Sequence, residues 1–385
     1  MTIRNMFAML LLALLVLLAC SGFFLPRHYL EPWQKDYAQK FDDHRISLVA
    51  HGLLAANGHN MQPWKIKLDE NNADVFYLYA DANRLTNEVD PFGRQTMISQ
   101  GTFLEYIKVA GANNGYKTEL VFFPDGNYDE SNLTESMKRL PVAKITIQKS
   151  AQKDSSLYDY IFLPDTNRGA YKALKPSDAE ISELQKSNAD NKTVLSFYRN
   201  EEAVMSLNNY IVAGAEIESN IQRIYEENKK ILRINEYEKN KYRYGFSIEG
   251  PGDSEIKKNI LQGLVTILPF LNNEKIAAKV FKENTEIAAT NTPAYAMIMT
   301  EDNSRLSQIK AGMLYSRLIL TAHSMGLAMQ PPSQVLEEYP EMNEQYNKVR
   351  NEYAGEKTIQ MLFRIGFPSQ TAAKSMRQDV KALLD

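Results

Sequence analysis

Apolar residues recur at Ile46, Val49, Ala50, Leu53 and Leu54, the spacing of one buried helical face, and predict a helix over 46–56. Trp64, Ile66 and Leu68 then alternate with Lys65 and Lys67, the period of a half-buried strand. A second strand is expected at 75–79, with Asp69-Glu70-Asn71-Asn72 as the turn of a hairpin or of a close antiparallel neighbour. Strand patterns return at Leu120 to Phe123 and at Ala143, Ile145 and Ile147, on either side of a polar, turn-rich segment from Asp125 to Lys138. A second unit begins near Tyr160. Ser177 with Glu180 has the signature of a capping box for a helix through Leu184, 194–198 reads as a strand, and Val204, Leu207 and Ile211 start a long helix. A strand at 294–299, a helix at about 306–325 and a last strand follow. In that last strand Ile359, Met361, Phe363 and Ile365 are expected on one face and Gln360, Leu362 and Arg364 on the other. Strands and helices mixed in this way predict an α+β fold with sheets and helices in layers.

The two units share a weak internal repeat. Ile98-Ser99-Gln100-Gly101 opens a helix that ends at Gly115-Tyr116, and Lys310-Ala311-Gly312 lies inside one that ends at Gly326-Leu327. The paired glycines are fourteen residues apart in both cases, as if each helix had one place where something packs closely.

At 385 residues, 44% hydrophobic and 10% aromatic, the chain can bury a large core. Its net charge of −3 with interspersed signs argues against a nucleic-acid-binding face. Met6 to Leu25 is apolar apart from Ser21, so residues 1–25 read as a signal peptide or membrane anchor, with a tether from Pro26 to about residue 34. Leu17-Leu18-Ala19-Cys20 resembles a bacterial lipoprotein cleavage site, which would place a membrane-associated body on the periplasmic side of the envelope. The cations Arg27, Lys35 and Lys40 after the apolar run outnumber Arg4 before it and pull towards a cytoplasmic body. Cys20 is the only cysteine, which excludes intramolecular disulfides, Cys-rich metal sites and a cysteine nucleophile in the body. The five histidines show no paired metal-ligand spacing, and no Gly-rich phosphate loop or nucleophile elbow is present.

Side-chain amides are concentrated in Ala55-Ala56-Asn57-Gly58-His59-Asn60-Met61-Gln62-Pro63-Trp64, a loop fixed between helix and strand. Gly58 permits positive φ, and Asn60 and Gln62 each offer donors and an acceptor to a heterocycle or sugar chain; the plain alternative is a turn whose amides cap their own backbone. The stretch resembles the "A-P-S-x-H-N-x-Q-P-W" segment of the nitroreductase-like flavoprotein family, with Ala56 where the family has Pro and Asn57 where it has Ser. Asp81, Arg84, Asp90-Pro91 and Arg94, followed by Ser99 and Gly101, fit the pattern leading into the long helix; Asp81, Arg84, Asp90 and Arg94 are taken as scaffold, with Arg94 the best functional candidate among them. Thr166-Asn167-Arg168 resembles the segment that binds the flavin's phosphate arm, although Asp165 stands where the family has a leading Arg. Gly326 to Pro332 is similar to the loop passing the flavin ring, and Phe363-Arg364-Ile365-Gly366 to the closing strand. The charged stretch from Glu226 to Gly252, with Arg233, Tyr242, Arg243 and Tyr244, matches a cover over the site, most of whose charges are expected to be solvated.

The resemblance implies a nitroreductase-like fold of two degenerate copies in one chain, a first half at 26–158 and a second at 159–385, imitating the family's dimer, so that a monomer can complete one site. It implies FMN as cofactor and NADH or NADPH as electron donor to a small-molecule acceptor such as a quinone or nitroaromatic. It assigns Asn57, His59, Asn60, Gln62, Thr166, Arg168, Gln330, Pro331 and Arg364 to cofactor binding and no residue to catalysis, since the flavin carries the hydride chemistry. The rival reading is an inactive membrane-anchored protein that binds flavin or another ligand.

Overall fold

The computed structural model describes residues 3–248 and 254–385. The end of the charged stretch, Gly250-Pro251-Gly252, read from the sequence as a turn, lies outside the described residues. The chain begins with α1 (Ile3–Ser21), followed by α2 (His44–Gly52), β1 (Trp64–Leu68), β2 (Val75–Ala80), α3 (Arg94–Asn113), β3 (Tyr116–Phe122), α4 (Leu133–Arg139) and β4 (Ala143–Lys149). After α5 (Asp178–Lys186) and β5 (Thr193–Tyr198) comes an insertion: α6 (Glu201–Ser219), α7 (Gln222–Ile231), β6 (Leu232–Arg233), α8 (Glu236–Tyr242), β7 (Phe246–Ser247), α9 (Glu255–Ile267) and α10 (Glu274–Thr290). The chain closes with β8 (Ala294–Thr300), α11 (Arg305–Ser324), β9 (Ala328–Gln330), α12 (Asn343–Tyr353) and β10 (Thr358–Gly366).

The fold is α+β. One four-stranded sheet has the order β1-β2-β4-β3 and a second β5-β8-β10-β9, with all neighbouring strands in both antiparallel, and β6 and β7 form a small parallel pair. The two sheets therefore have the same strand order, and α3 and α11 occupy the same place, between the second and third strands of their halves. Both helices are 20 residues long, and each is followed by a left-handed glycine, Gly115 (φ 77) and Gly326 (φ 74). One continuous core joins Phe76 and Ile145 of the first sheet, Phe103 and Leu318 of the helix pair, and Ala296 and Phe363 of the second.

Gly101 and Gly312 face each other where α3 and α11 pack. A Cβ on Gly101 would overlap the Ile309 carbonyl oxygen, one on Gly312 would overlap that of Ile98, and the latter would lie 3.1 Å from the Gly101 Cα. Only glycine lets the two backbones come this close. Ser316 donates to the Thr102 carbonyl at 3.2 Å and Arg317 pairs with Glu105 across the same contact.

Several expected boundaries move. The 46–56 helix ends at Gly52, freeing 53–62 to form the loop, and the long helix begins at Arg94 because Asp90 accepts from the Gln95 and Thr96 amides at 3.0 and 2.9 Å. A short helix, α4, forms inside the segment read as turns, with Met137 buried under it. The 26–34 segment is no loose tether: Tyr29 and Trp33 are buried, and Trp33 Nε1 donates to the Ser375 carbonyl. A bulge between Ile359 and Met361 puts Ile359 with Leu362 in one core cluster and leaves Phe363 and Ile365 in the other. The capping box at Ser177 and Glu180 and the β1–β2 pairing are as the sequence predicts. Among the described residues no helix is long and apolar enough to cross a membrane. The apolar N-terminal stretch forms α1, whose last turns pack on α9 where Gly263 meets the Leu17 carbonyl.

Substituting Gly101→Ala or Gly312→Ala should force the helix pair apart and lower unfolding free energy by about 3 kcal/mol or more. Gly326→Ala, with positive φ but nothing within 4 Å of the added methyl, should cost only about 1–2 kcal/mol. Urea unfolding of the three variants checks the order.

Candidate functional site

The loop after α2 is strained and held from several sides. His59, Asn60 and Gln62 all have left-handed backbones (φ 52, 53 and 52), whereas Gly58, expected to supply that conformation, does not. Each such residue costs on the order of 1 kcal/mol or more, so the surroundings must over-determine the loop. They do: the Ala56 amide donates to Asp165 at 2.7 Å, the Ala56 carbonyl accepts from Thr102 at 2.6 Å, and the Gly58 amide donates to Ser99 Oγ at 3.1 Å. Asn57 accepts from the Gln62 amide at 2.7 Å, closing the loop on itself.

Asn60 and Gln62 spend their amides on protein. Asn60 Nδ2 donates to the carbonyls of Gly245 and Met376 at 2.9 and 3.0 Å, and its Oδ1 accepts from Arg377 at 2.7 Å. Gln62 Nε2 donates to the Arg243 carbonyl at 2.9 Å, and its Oε1 accepts from the Gln378 amide at 2.9 Å. The two residues thus hold the cover segment and the C-terminal tail against the loop. His59 is different: its Nδ1 is buried without a partner, and burial with the nearby Arg168 lowers its pKa to about 4, so the ring is neutral.

Arg364 is buried, not a surface cation. Its guanidinium stacks 3.8 Å from the Tyr171 ring centroid and donates to the Gly169 carbonyl, while Nε and Nη1 have no partner. Gln330, its register partner on β9, is buried with Oε1 unpartnered, and Pro331 follows at the strand end, partly exposed. Arg168 keeps accessible surface, yet desolvation lowers its pKa, and it senses Tyr315, Glu218 and Arg364. Thr166 is partly exposed two residues before it. Loop, Arg168, Arg364 and β9 thus converge, and Arg364 Nε and Nη1 are unpartnered donors there.

Arg94 does not join them. It donates to the carbonyls of Gln360 and Leu336 and to Glu338, so it is a buried cross-link between halves rather than a ligand-binding cation. Asp81 and Arg84 are scaffold as expected: Asp81 caps a turn at Asn83, and Arg84 stacks 3.6 Å from the Tyr244 centroid. The cover is less solvated than its charges suggest, because Arg233 is buried and lies 4.2 and 4.6 Å from the ring centroids of Tyr242 and Tyr244.

Sequence reasoning missed four groups. Tyr315, one turn beyond Gly312 on α11, has a buried unpartnered hydroxyl; its spacing from the glycine could have marked it. Arg377, from the tail beyond the last strand, donates to the carbonyls of Leu54 and Ala55 and stacks on Trp33. Glu218 and Glu337 are buried with one oxygen each unpartnered. Burial pushes Glu218 up to about 7 and, with the Glu218 charge beside it, Glu337 well above the carboxylate range. No local pattern announces these three.

No family model matches the chain. Proteins from two strains of Mycobacterium tuberculosis, each named "Putative NAD(P)H nitroreductase", are 24% identical over 324 residues, 83% of this chain and 84% of theirs. The chain is thus nitroreductase-like in sequence over most of its length. Among solved structures, an FMN-dependent nitroreductase of Mycobacterium smegmatis in complex with NADPH aligns at 12% identity over 59% of this chain and 92% of its own, TM-score 0.32. One from Anabaena variabilis, described as a nitroreductase, aligns at 11% identity over 82% of both chains, TM-score 0.32. Superpositions this loose carry no argument, and the fold rests on the topology given above.

Burial raises the Asp165 carboxyl to about 7 from an ordinary 3.8, outweighing Tyr106, Arg377 and the Ala56 amide, which favour the charge. A raised carboxyl leaves stability intact below about pH 4 and erodes it as pH climbs to about 7, by roughly 4 kcal/mol at most. Asp165→Asn keeps an acceptor for Ala56 without that titration. Its stability relative to wild type should rise between pH 4 and 7 and level off above, as measured by urea unfolding at several pH values.

Proposed function

We propose that the chain is an FMN-dependent oxidoreductase that accepts hydride from NADH or NADPH and passes two electrons to a small-molecule acceptor, a quinone or nitroaromatic. The observation that carries this reading is the set of buried, unpartnered polar atoms around the loop, Arg364 Nε and Nη1, Gln330 Oε1, Tyr315 Oη and His59 Nδ1. Buried polar groups are rarely left without partners unless a ligand supplies them. That the sequence relatives are named as NAD(P)H nitroreductases gives the ligand's chemistry.

The residues fit FMN. Arg168 and Arg364 would take the phosphate, since guanidinium forks form charge-assisted bonds to its oxygens, with the Thr166 hydroxyl beside them. Asn57, His59, Gln330 and Pro331 would line the ribityl chain and ring, and Asn60 and Gln62 would act one step back by fixing the loop and its cover. FMN, when bound, supplies the ring that accepts and returns hydride. The chain binds, orients and excludes water: Arg243 to Gly245, pinned on Gln62 and Asn60, closes over the loop. With Asp165 where a family arginine is expected, the phosphate would rely on two arginines, both lowered in pKa by burial and so favoured by an incoming anion. The identical strand order of the two sheets supports reading 26–158 and 159–385 as two copies that complete one site in one chain. The apolar residues 1–25 support attachment to a membrane, on the periplasmic side of a bacterial envelope if Cys20 is lipidated, and a lipid-phase quinone then becomes the favoured acceptor.

A binding module without turnover is the second reading, favoured by the commitment of Asn60 and Gln62 to holding the cover shut. Full-length protein in detergent, loaded with FMN, desalted and given NADH or NADPH anaerobically, separates the two. Bleaching of retained flavin followed by reoxidation with a quinone is the expected result; retained flavin that never bleaches would favour the module, and no retained flavin would contradict both. Arg364→Gln should weaken FMN about 10- to 100-fold in a fluorescence titration, the worth of one or two charged hydrogen bonds.

A further inference from the structure

The apolar side chains described in the N-terminal half of α1 are exposed. Met6, Phe7, Met9, Leu10, Leu11 and Leu12 are between 48% and 69% exposed, although they point in all directions around the helix. A helix that is apolar all round calls for an apolar surrounding. Its C-terminal half packs on α9 in antiparallel sense: the Leu17 carbonyl meets Gly263, Ser21 Oγ lies 3.1 Å from Asn259 Oδ1, and Arg27 pairs with Glu255. Moving towards the N-terminus of α1 therefore moves towards the C-terminus of α9. Both helices rise about 1.5 Å per residue, so Ala13 falls level with Ile267, and Met9 and Leu10 fall beyond the end of α9, level with the turn at Pro269–Leu271.

That level carries exposed apolar residues of its own. Ile267, Leu268 and Phe270 are 45%, 37% and 68% exposed, and Ile276, at the start of α10, is 43% exposed. Val280 and Ile287 continue from Ile276 at four and eleven residues, within about 40° of one line along the helix, while α10 packs on α6 with another face. Lys275 and Lys279 are exposed next to Ile276 and Val280, and Glu283, on the same line of the helix, lies 3.7 Å from Lys279. Apolar surface spread over three elements and edged by lysines is larger than a water-facing surface needs.

We propose that the end of α9, the Pro269–Leu271 turn and the first turns of the exposed stripe of α10, at Ile276 and Val280, form a second bilayer-contacting surface, seated in the headgroup and upper acyl region beside α1, with Lys275 meeting lipid phosphates. The proposal rests on the membrane reading of residues 1–25 and adds to it a fixed orientation. A tether alone would leave the body free to turn; a second contact sets the insertion, which also carries the cover, towards the lipid. An acceptor dissolved in the acyl phase would then meet the protein on the side of the insertion.

Full-length Phe270→Trp and Leu10→Trp variants in phospholipid vesicles, with and without bromine on the acyl chains, test this. Trp33 and Trp64 are 2% and 1% exposed and provide the unquenched background in wild type. Loss of emission from both variants in brominated vesicles, with a blue shift on vesicle binding, is expected. Quenching of Leu10→Trp but not Phe270→Trp would overturn the second contact and leave the tether standing. Quenching of neither would overturn both.

Discussion

Two glycines set the distance between the halves of this protein. Gly101 on α3 and Gly312 on α11 bring their backbones together so closely that a single methyl on either would strike a carbonyl of the other helix. Everything at the site is measured from that contact. From α3, Ser99 holds the Gly58 amide, Thr102 holds the Ala56 carbonyl and Tyr106 holds Asp165; from α11, Tyr315 reaches the same region. A wider helix spacing would pull these groups away from the loop they fix, so close packing in the core and geometry at the site are one constraint.

The loop they hold combines backbone strain with buried charge. Three left-handed non-glycine residues in a row of four are stable only because the amides and carbonyls around them are taken up by Asp165, Arg377, Asn57 and the cover. Arg364 is buried and, among the described residues, no carboxylate bonds to it, and desolvation also lowers the pKa of Arg168. Glu218 and Glu337 carry the opposite problem, burial without enough donors. An anion delivered to the arginines relieves the first imbalance, which is why the site reads as a binding site and not merely as a polar core.

Much of this was legible in the chain. Alternation gave β1 to the residue because Trp64 and Ile66 are buried and the lysines between them are not, and the equal spacing of Gly101 to Gly115 and Gly312 to Gly326 already held the central packing contact and the two helix ends. Local patterns could not say what Asn60 and Gln62 bind, since their partners at Arg243, Gly245, Met376 and Gln378 lie some 180 to 320 residues away. Arg377 was invisible for the same reason, and Arg94 looked like a ligand-binding cation because its acceptors are backbone carbonyls from a distant strand and turn. The α4 helix hid because its stretch is polar, with one buried methionine to pin it. Bulges are likewise silent in an alternating strand, so the face of Ile359 was misassigned.

The central claim is that one chain, with both sheets and the helix pair, builds one complete flavin site. Sedimentation velocity of FMN-loaded full-length protein in detergent, followed at once by protein and by flavin absorbance, tests it most directly. One flavin travelling with each monomeric chain is the predicted result. Flavin found only on a dimer, or left behind as free ligand, would contradict it.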